Sequence, residues 1–439
     1  MSSFLAVGAA ERVVEVPLFA ELGGYGPFRG RRNIGVRDPL YCRVLTVNDG
    51  ERRNVLVITD MIASSQLHCR MLRMELAEEF SLYPDAIMFA GTHTHSGPCL
   101  ASCDVGYGEP NAEFAANWSA AVKANLRDAI ANEEPVRAFA GRAPIRKQLG
   151  SRRTMGSDKH TDPHSRFVKF CREDGSVKVL LHNHAMHGVV FGPQLYVSAD
   201  WMGDVNRKIK ERKLAEMPLF LYGTAGDVNV IWTHKREERD QNLEWISESY
   251  TNDLEAALND CEEIPLFKVK SVLKSVEFPT EKVDPAEYRE VAAVLAEKAE
   301  QGLGDVKLLN FIHDRMIEMA VMAERGHDFR VIRDLQIIRM GELEIFAIPG
   351  EAFLVIGEEL MEKARVKFPL ALSVANGDSG YFPDKEMFAR YPSVYDSDDF
   401  GAFGFYEVWF GPGQLRAKFK PDISSFIVEK LLELEKELD

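Results

Sequence analysis

The sequence predicts a mixed α/β (α+β) fold. Three observations carry this. Strand-like and helix-like segments alternate along the first half, strict βαβ regularity is absent, and the 439-residue chain is 46% hydrophobic, enough for a large core shared by both element types. No internal repeat, low-complexity tract or Gly/Ser linker interrupts the chain, so residues 1–439 are expected to form one domain.

The elements follow in order. Residues 41–47 (YCRVLTV) and 54–59 (NVLVIT) are rich in β-branched and apolar side chains and predict strands. Residues 66–80 predict an amphipathic helix. Residues 86–90 (AIMFA) are a short apolar run, hence a buried strand, and lead directly into Gly91-Thr92-His93-Thr94-His95-Ser96-Gly97-Pro98. Phe114, Trp118, Val122, Leu126 and Ile130 recur every four residues and predict the next helix. Strands are expected at 136–140, 166–170, 178–182 and 219–222. The second half opens with helices around 242–258 and 286–301. Residues 267–278 alternate apolar and polar like a half-exposed strand, and 330–340 with 342–348 predict a strand pair joined at Gly341. A helix at 352–366, a strand at 372–375 and an amphipathic helix at 423–438 complete the prediction.

Composition excludes several functions. A net charge of −15 argues against binding a phosphate backbone, so no nucleic-acid partner is expected, and it disfavours anionic membranes. No apolar run reaches the roughly 18 residues that would span a bilayer. The start, MSSFLAVGAAERVVEV, has no basic leader, and the expectation is a cytoplasmic protein without a signal peptide. Six cysteines are scattered. Cys99 and Cys103 lie close, but no second pair is near enough to complete a four-thiolate zinc site, so reduced, mostly buried thiols are expected.

The residues able to carry chemistry sit at strand ends. His93 and His95 follow a buried strand, and in extended chain residues two apart point to one face. A lone H-x-H pair is weak, and a merely polar role is the alternative. The second cluster is His182-Asn183-His184-Ala185-Met186-His187-Gly188, three histidines within six residues of a chain that has 11. Imidazole is a common zinc ligand, and each such ligand needs an acceptor for its other nitrogen. Asp200 either orients a histidine or caps the following helix. Tyr222-Gly223-Thr224-Ala225-Gly226-Asp227-Val228-Asn229 runs from a strand into a Gly-rich turn without the G-K-[ST] ending of a phosphate loop. It is either a tight turn or, through backbone amides or Asn229, a source of donors to an oxyanion. Glu351, in Pro349-Gly350-Glu351, is either a helix-start carboxylate or a ligand, and Tyr381 follows Gly380 in another polar turn.

Taken together, these segments resemble the catalytic domain of the neutral, non-lysosomal ceramidase family. The resemblance runs from about Val7 to the C-terminus in a fixed order. Gly24-Tyr25 is followed by T-H-T-H-S-G-P (92–98), Ser151-Arg152, N-x-A-x-H (183–187), S-A-D-x-x-G (198–203), G-D-V (226–228), P-G-E (349–351) and G-Y (380–381). T-H-T-H-S-G-P is the most specific piece. The resemblance implies a Zn2+ ion held by His93, His187, Glu351 and Tyr381, with His95 and Arg152 contacting the scissile amide and its oxyanion. The implied activity is hydrolysis of a linear N-acyl amide. The chain departs from the family where G-D-V-S-P-N reads Gly226-Asp227-Val228-Asn229-Val230-Ile231, so Asn229 stands where the family has its proposed serine nucleophile. A C-terminal immunoglobulin-like domain is not expected. Two alternatives accompany this reading: a zinc-dependent ester or lactone hydrolase acting on a soluble metabolite, and a non-catalytic binding protein with the same fold. A two-metal phosphoesterase would need more carboxylate ligands than the sequence supplies. The expected partner is a small N-acyl or ester substrate, and a homo-oligomer is left open.

Overall fold

The computed structural model describes residues 5–25, 30–100, 108–153, 160–235, 237–265, 268–391, 407–408 and 416–439. Its strands form two main sheets. The larger has nine strands, with Met217–Tyr222, Val177–His184, His164–Cys171, Glu134–Pro144, Leu5–Val13, Tyr41–Asn48, Arg53–Thr59 and Ile87–Gly91 in spatial order, and Cys261–Ile264 pairing with Glu134–Pro144. The outermost pairs are parallel and the inner ones antiparallel. The second sheet has four strands, Val269–Phe278, Val331–Met340, Leu343–Ala347 and Phe368–Leu372.

Period-2 alternation explains the layering. Along the Arg53–Thr59 strand, Leu56 and Ile58 join a core cluster with Met340 and Ile345 of the second sheet, whereas Val55 and Val57 pack against helices Gln66–Phe80 and Ala112–Ala131. Near the other end of the sheet, Leu180 and Phe220 pack with residues of helices Asp200–Glu211 and Arg239–Ala257. Helices Pro285–Glu300, Val306–Glu324, Leu354–Lys363 and Ile423–Lys436 cover the far face of the second sheet. The order of layers is therefore helices, sheet, sheet, helices. No described helix is long and apolar enough to cross a membrane.

Most expected elements are present, and the helix over 66–80 has the expected bounds. The departures have local causes. Leu5–Val13, treated only as a candidate leader, is an inner strand paired on both sides. The helix expected from 352 begins at Leu354, because Glu351–Ala352 instead forms a two-residue parallel bridge with Tyr381–Phe382. The strand expected at 372–375 is Phe368–Leu372. The residues after it stitch the first sheet together: Ser373 N–H donates to Tyr222 O at 3.1 Å, and Asn376 N–H to Phe89 O at 2.7 Å. That stitch joins the sheet's two edge strands: Ile87–Gly91 runs into His93 and His95, and Met217–Tyr222 pairs with the strand that carries His182 and His184. Cys42, Cys69, Cys171 and Cys261 are free, Cys99 is buried, and Cys103 lies outside the described residues.

Candidate metal centre

The Ile87–Gly91 strand ends in a sharp turn. Thr92 N–H donates to Thr59 O at 3.0 Å, His93 N–H donates to Met61 O at 2.9 Å, and His93 adopts φ 66°. A non-glycine residue in the left-handed region stores strain, which is commonest at functional sites. His93 and His95 are both buried, with ring centroids 4.8 Å apart. A left-handed turn brings them together, rather than the extended geometry expected from their spacing. Gly24 is required beside them, since a Cβ there would lie 2.7 Å from the His95 ring.

His187 arrives from the Val177–His184 strand. Its N–H donates to Val228 O at 3.0 Å, and its own carbonyl accepts from Trp201 Nε1 at 2.9 Å. The His93 and His187 rings lie 4.8 Å apart. His93, His95 and His187 each offer a ring nitrogen within 4.8 Å of the others. Three imidazoles are thus placed where one ion can touch them all.

Glu351 completes this arrangement. Its Oε2 lies 3.2 Å from His93 Nε2 and 3.1 Å from His187 Nε2. Gly226 permits the approach of this segment, since a Cβ there would lie 2.4 Å from Glu351 O. The Glu351–Tyr381 bridge places these two residues directly beside each other. The far nitrogens of both histidines are fixed: His93 Nδ1 is 2.8 Å from Ile62 O, and His187 Nδ1 is 3.1 Å from Val228 O. A carbonyl oxygen only accepts, so each Nδ1 carries the hydrogen, and the neutral rings turn Nε2 lone pairs toward a carboxylate that also only accepts. A cation between them would satisfy the two lone pairs and the carboxylate together, with Arg153 Nη1 3.5 Å from His187 Nε2 and His95 Nε2 3.2 Å from His93 Nε2 as neighbouring groups. The residues therefore fit a divalent ion.

The titration behaviour agrees. Burial acts to raise the Glu351 carboxyl, but His93 and His187 outweigh it and hold it well below the usual carboxylate range. Burial acts to lower His93, yet Glu351 outweighs it and raises the ring. His187 is pushed down to about 4 by burial and by the Arg153 charge. Burial, reinforced by His93 and His187, holds His95 well below its ordinary value. Both His187 and His95 are thereby neutral near pH 7.

The two arginines at 152 and 153 have different fates. Arg152 Nε donates to Asp227 Oδ2 at 2.5 Å, and Asp227 Oδ1 accepts from Leu354 N at 2.9 Å. The Arg152 guanidinium thus secures the loop that carries Asp227, and its Nη2 lies 3.5 Å from Asp384 Oδ2. Its neighbour turns the other way. Arg153 Nη1 donates to Asn229 Oδ1 at 2.8 Å and lies 3.5 Å from His187 Nε2, while Nη2 donates to Gly226 O at 2.7 Å. Its Nε pairs with Glu407 at 2.5 Å, and its guanidinium lies 5.3 Å from the centre of the Tyr381 ring. Sequence reasoning missed Arg153, although it follows Arg152 directly. It also missed Tyr222, whose ring stacks on His93 at 4.6 Å and whose hydroxyl is 3.3 Å from His187 Nδ1. The only sequence signal for Tyr222 was its position at a strand end before the Gly-rich turn.

His182 and His184 stand apart from this centre. His182 Nδ1 pairs with Tyr250 Oη at 3.1 Å and Nε2 with Asn206 Oδ1 at 2.9 Å, and His184 Nδ1 lies 3.1 Å from His164 O. Asp200 has φ 55° and accepts from the N–H groups of Val190 and Trp201, so it fixes the loop after His187 from the start of its helix.

No protein-family model and no curated protein sequence matches the chain. Solved structures do. The crystal structure of neutral ceramidase from Pseudomonas aeruginosa aligns with a TM-score of 0.75 at 16% identity, over 100% of this chain and 75% of that one. A ceramidase complexed with C2 aligns with a TM-score of 0.72 at 15% identity, over 99% of this chain and 75% of that one. The chain therefore has a neutral ceramidase-like fold from end to end.

Proposed function

We propose that this protein is a zinc-dependent hydrolase that cleaves the linear amide bond of a small N-acyl substrate. The observation that carries the reading is a single carboxylate oxygen, Glu351 Oε2, facing His93 Nε2 at 3.2 Å and His187 Nε2 at 3.1 Å. The ceramidase-like fold supports the choice of an amide. His93, His187, Glu351 and Tyr381 are the proposed ligands. A divalent ion held there acidifies a water molecule and polarises the scissile carbonyl.

The remaining work falls to the chain. His95 is neutral and its Nε2 lies 3.2 Å from His93 Nε2, so it is suited to hold a proton at Nε2 and pass it to the leaving amine. Arg153 supplies a fixed positive charge beside His187 and Tyr381, where negative charge on the substrate oxygen would be stabilised. Tyr222 covers one face of His93 and locks its ring. Burial of His93, His95 and Tyr222 keeps bulk water from competing.

Metal analysis of purified protein should find about one zinc per chain, as a single four-ligand site implies. A panel of N-acyl amides, esters and lactones tests the bond. Ester or lactone turnover without amide turnover would overturn the amide assignment. Tight ligand binding without turnover in zinc-loaded protein would make this a binding protein.

A further inference from the structure

We propose that the side-chain amide of Asn229 is a catalytic hydrogen-bond donor, its Nδ2 aimed at the carbonyl oxygen of the acyl substrate. The inference rests on the hydrolase reading above and assigns one of its contacts.

Three observations carry it. Asn229 lies on the short strand Val228–Val230, between two buried valines, so its side chain leaves the strand on the opposite face. That face is the metal centre: Arg153 Nη1 reaches both Asn229 Oδ1 at 2.8 Å and His187 Nε2 at 3.5 Å. The orientation of the amide is also determined. Arginine nitrogens only donate, so the atom facing Arg153 is the carbonyl oxygen, and the NH2 group points away from it. Among the described residues nothing accepts from that NH2 group, and Asn229 is partly exposed where its neighbours are buried.

The consequence is a donor set by its own partner. Arg153 is anchored by Glu407 and Gly226 O, so it does not follow the substrate. It holds the carboxamide rigid with two N–H bonds free. A fixed donor that strengthens its bond as charge develops on the oxygen lowers the barrier without tightening ground-state binding. Asparagine cannot replace a serine as nucleophile, but it reaches farther from the strand than serine and donates where serine would attack.

The competing role is purely positional, with Asn229 present only to accept from Arg153. Asn229→Asp separates the two, because it keeps an acceptor for Arg153 and removes the donor. With metal content verified as unchanged, kcat is expected to fall about 10²- to 10³-fold with KM within a few-fold. Near-normal kcat in Asn229→Asp would overturn the inference while leaving the hydrolase reading intact. Asn229→Ala combined with Arg153→Met gives a second measurement. A direct donor predicts a further loss when Asn229→Ala is added to Arg153→Met, and a positional role predicts none. If wild-type protein hydrolyses none of the panel, the hydrolase reading fails on its own. Calorimetric binding of an acyl-phosphonate, a tetrahedral mimic, then decides the donor: at least tenfold weaker binding to Asn229→Asp supports it, and equal binding overturns it.

Discussion

Two groups of histidines leave the same strand, five residues apart, and do opposite things. His182 has both ring nitrogens matched to neutral partners, Tyr250 Oη and Asn206 Oδ1. His187 has Nδ1 matched to a backbone carbonyl, while Nε2 faces a carboxylate that can give it no hydrogen. Both are buried. Both are pushed down to about 4 by burial. Neither burial nor titration therefore distinguishes a structural histidine from a candidate ligand. What distinguishes them is the kind of partner: His182 Nε2 meets a single neutral amide oxygen, whereas His187 Nε2 shares one carboxylate oxygen with His93 Nε2. Ring nitrogens from distant segments converging on one carboxylate oxygen are the mark of the candidate site.

The contrast can be broken most decisively at His187. Replacing His187, His93 or Glu351 with Ala is expected to remove the bound metal and lower turnover by about 10³-fold or more, measured by metal analysis beside kcat/KM. His182→Gln is expected to leave metal content unchanged. Full metal occupancy in His187→Ala would erase the distinction between His187 and His182.

The next effect is on stability and pH. His182 has its folded value lowered to about 4 from 6.5, mainly by burial. The unfolded chain then binds more protons between these values, so its contribution is fully present above pH 6.5 and is lost as pH falls through about 4. Acid unfolding monitored by circular dichroism should show this as up to about 3 kcal/mol between pH 7 and pH 4, missing from His182→Gln. An identical profile in the variant would remove His182 as the source.

A smaller effect is expected at Tyr250. Its hydroxyl lies 2.5 Å from Ser165 Oγ and 3.1 Å from His182 Nδ1, so Tyr250→Phe strands two buried partners. The cost is about 1–2 kcal/mol in denaturant unfolding, with turnover unchanged. The smallest effect belongs to Tyr222→Phe. It deletes a hydroxyl 3.3 Å from His187 Nδ1 but leaves Val228 O to hold the ring, and it keeps the stack on His93. Zinc affinity should weaken by about tenfold or less in competition with a chelator. A loss as large as that of His187→Ala would mean that Tyr222, not Val228, orients the ligand.

Much of this was legible before folding. T-H-T-H-S-G-P at a strand end marked His93 and His95, and the structure puts both in the cluster. The 182–187 cluster was visible too, but nothing in the sequence separated His187 from His182, because the separation depends on Tyr250 and Asn206 far along the chain. Nor does the sequence distinguish the surroundings of Arg152 from those of Arg153. Adjacent residues at a strand end face opposite ways, and the pairing of Gly150–Arg152 with Val228–Val230 decides which one meets His187. Glu351 read equally well as a helix-start carboxylate. Only its bridge to Tyr381, and the helix beginning three residues later, changed its surroundings.

The sequence by itself determined what nearest neighbours along the chain control: alternation of strand faces, helical stripes, and polar turns rich in glycine and histidine where strands end. Those preferences act over a few residues, so spacing encodes them. The tertiary structure alone decided which ring nitrogens converge on one carboxylate. That outcome depends on cross-sheet stitching by residues 373–376 and on a two-residue bridge between 351 and 381, contacts whose energies come from groups hundreds of residues away from the histidines they orient.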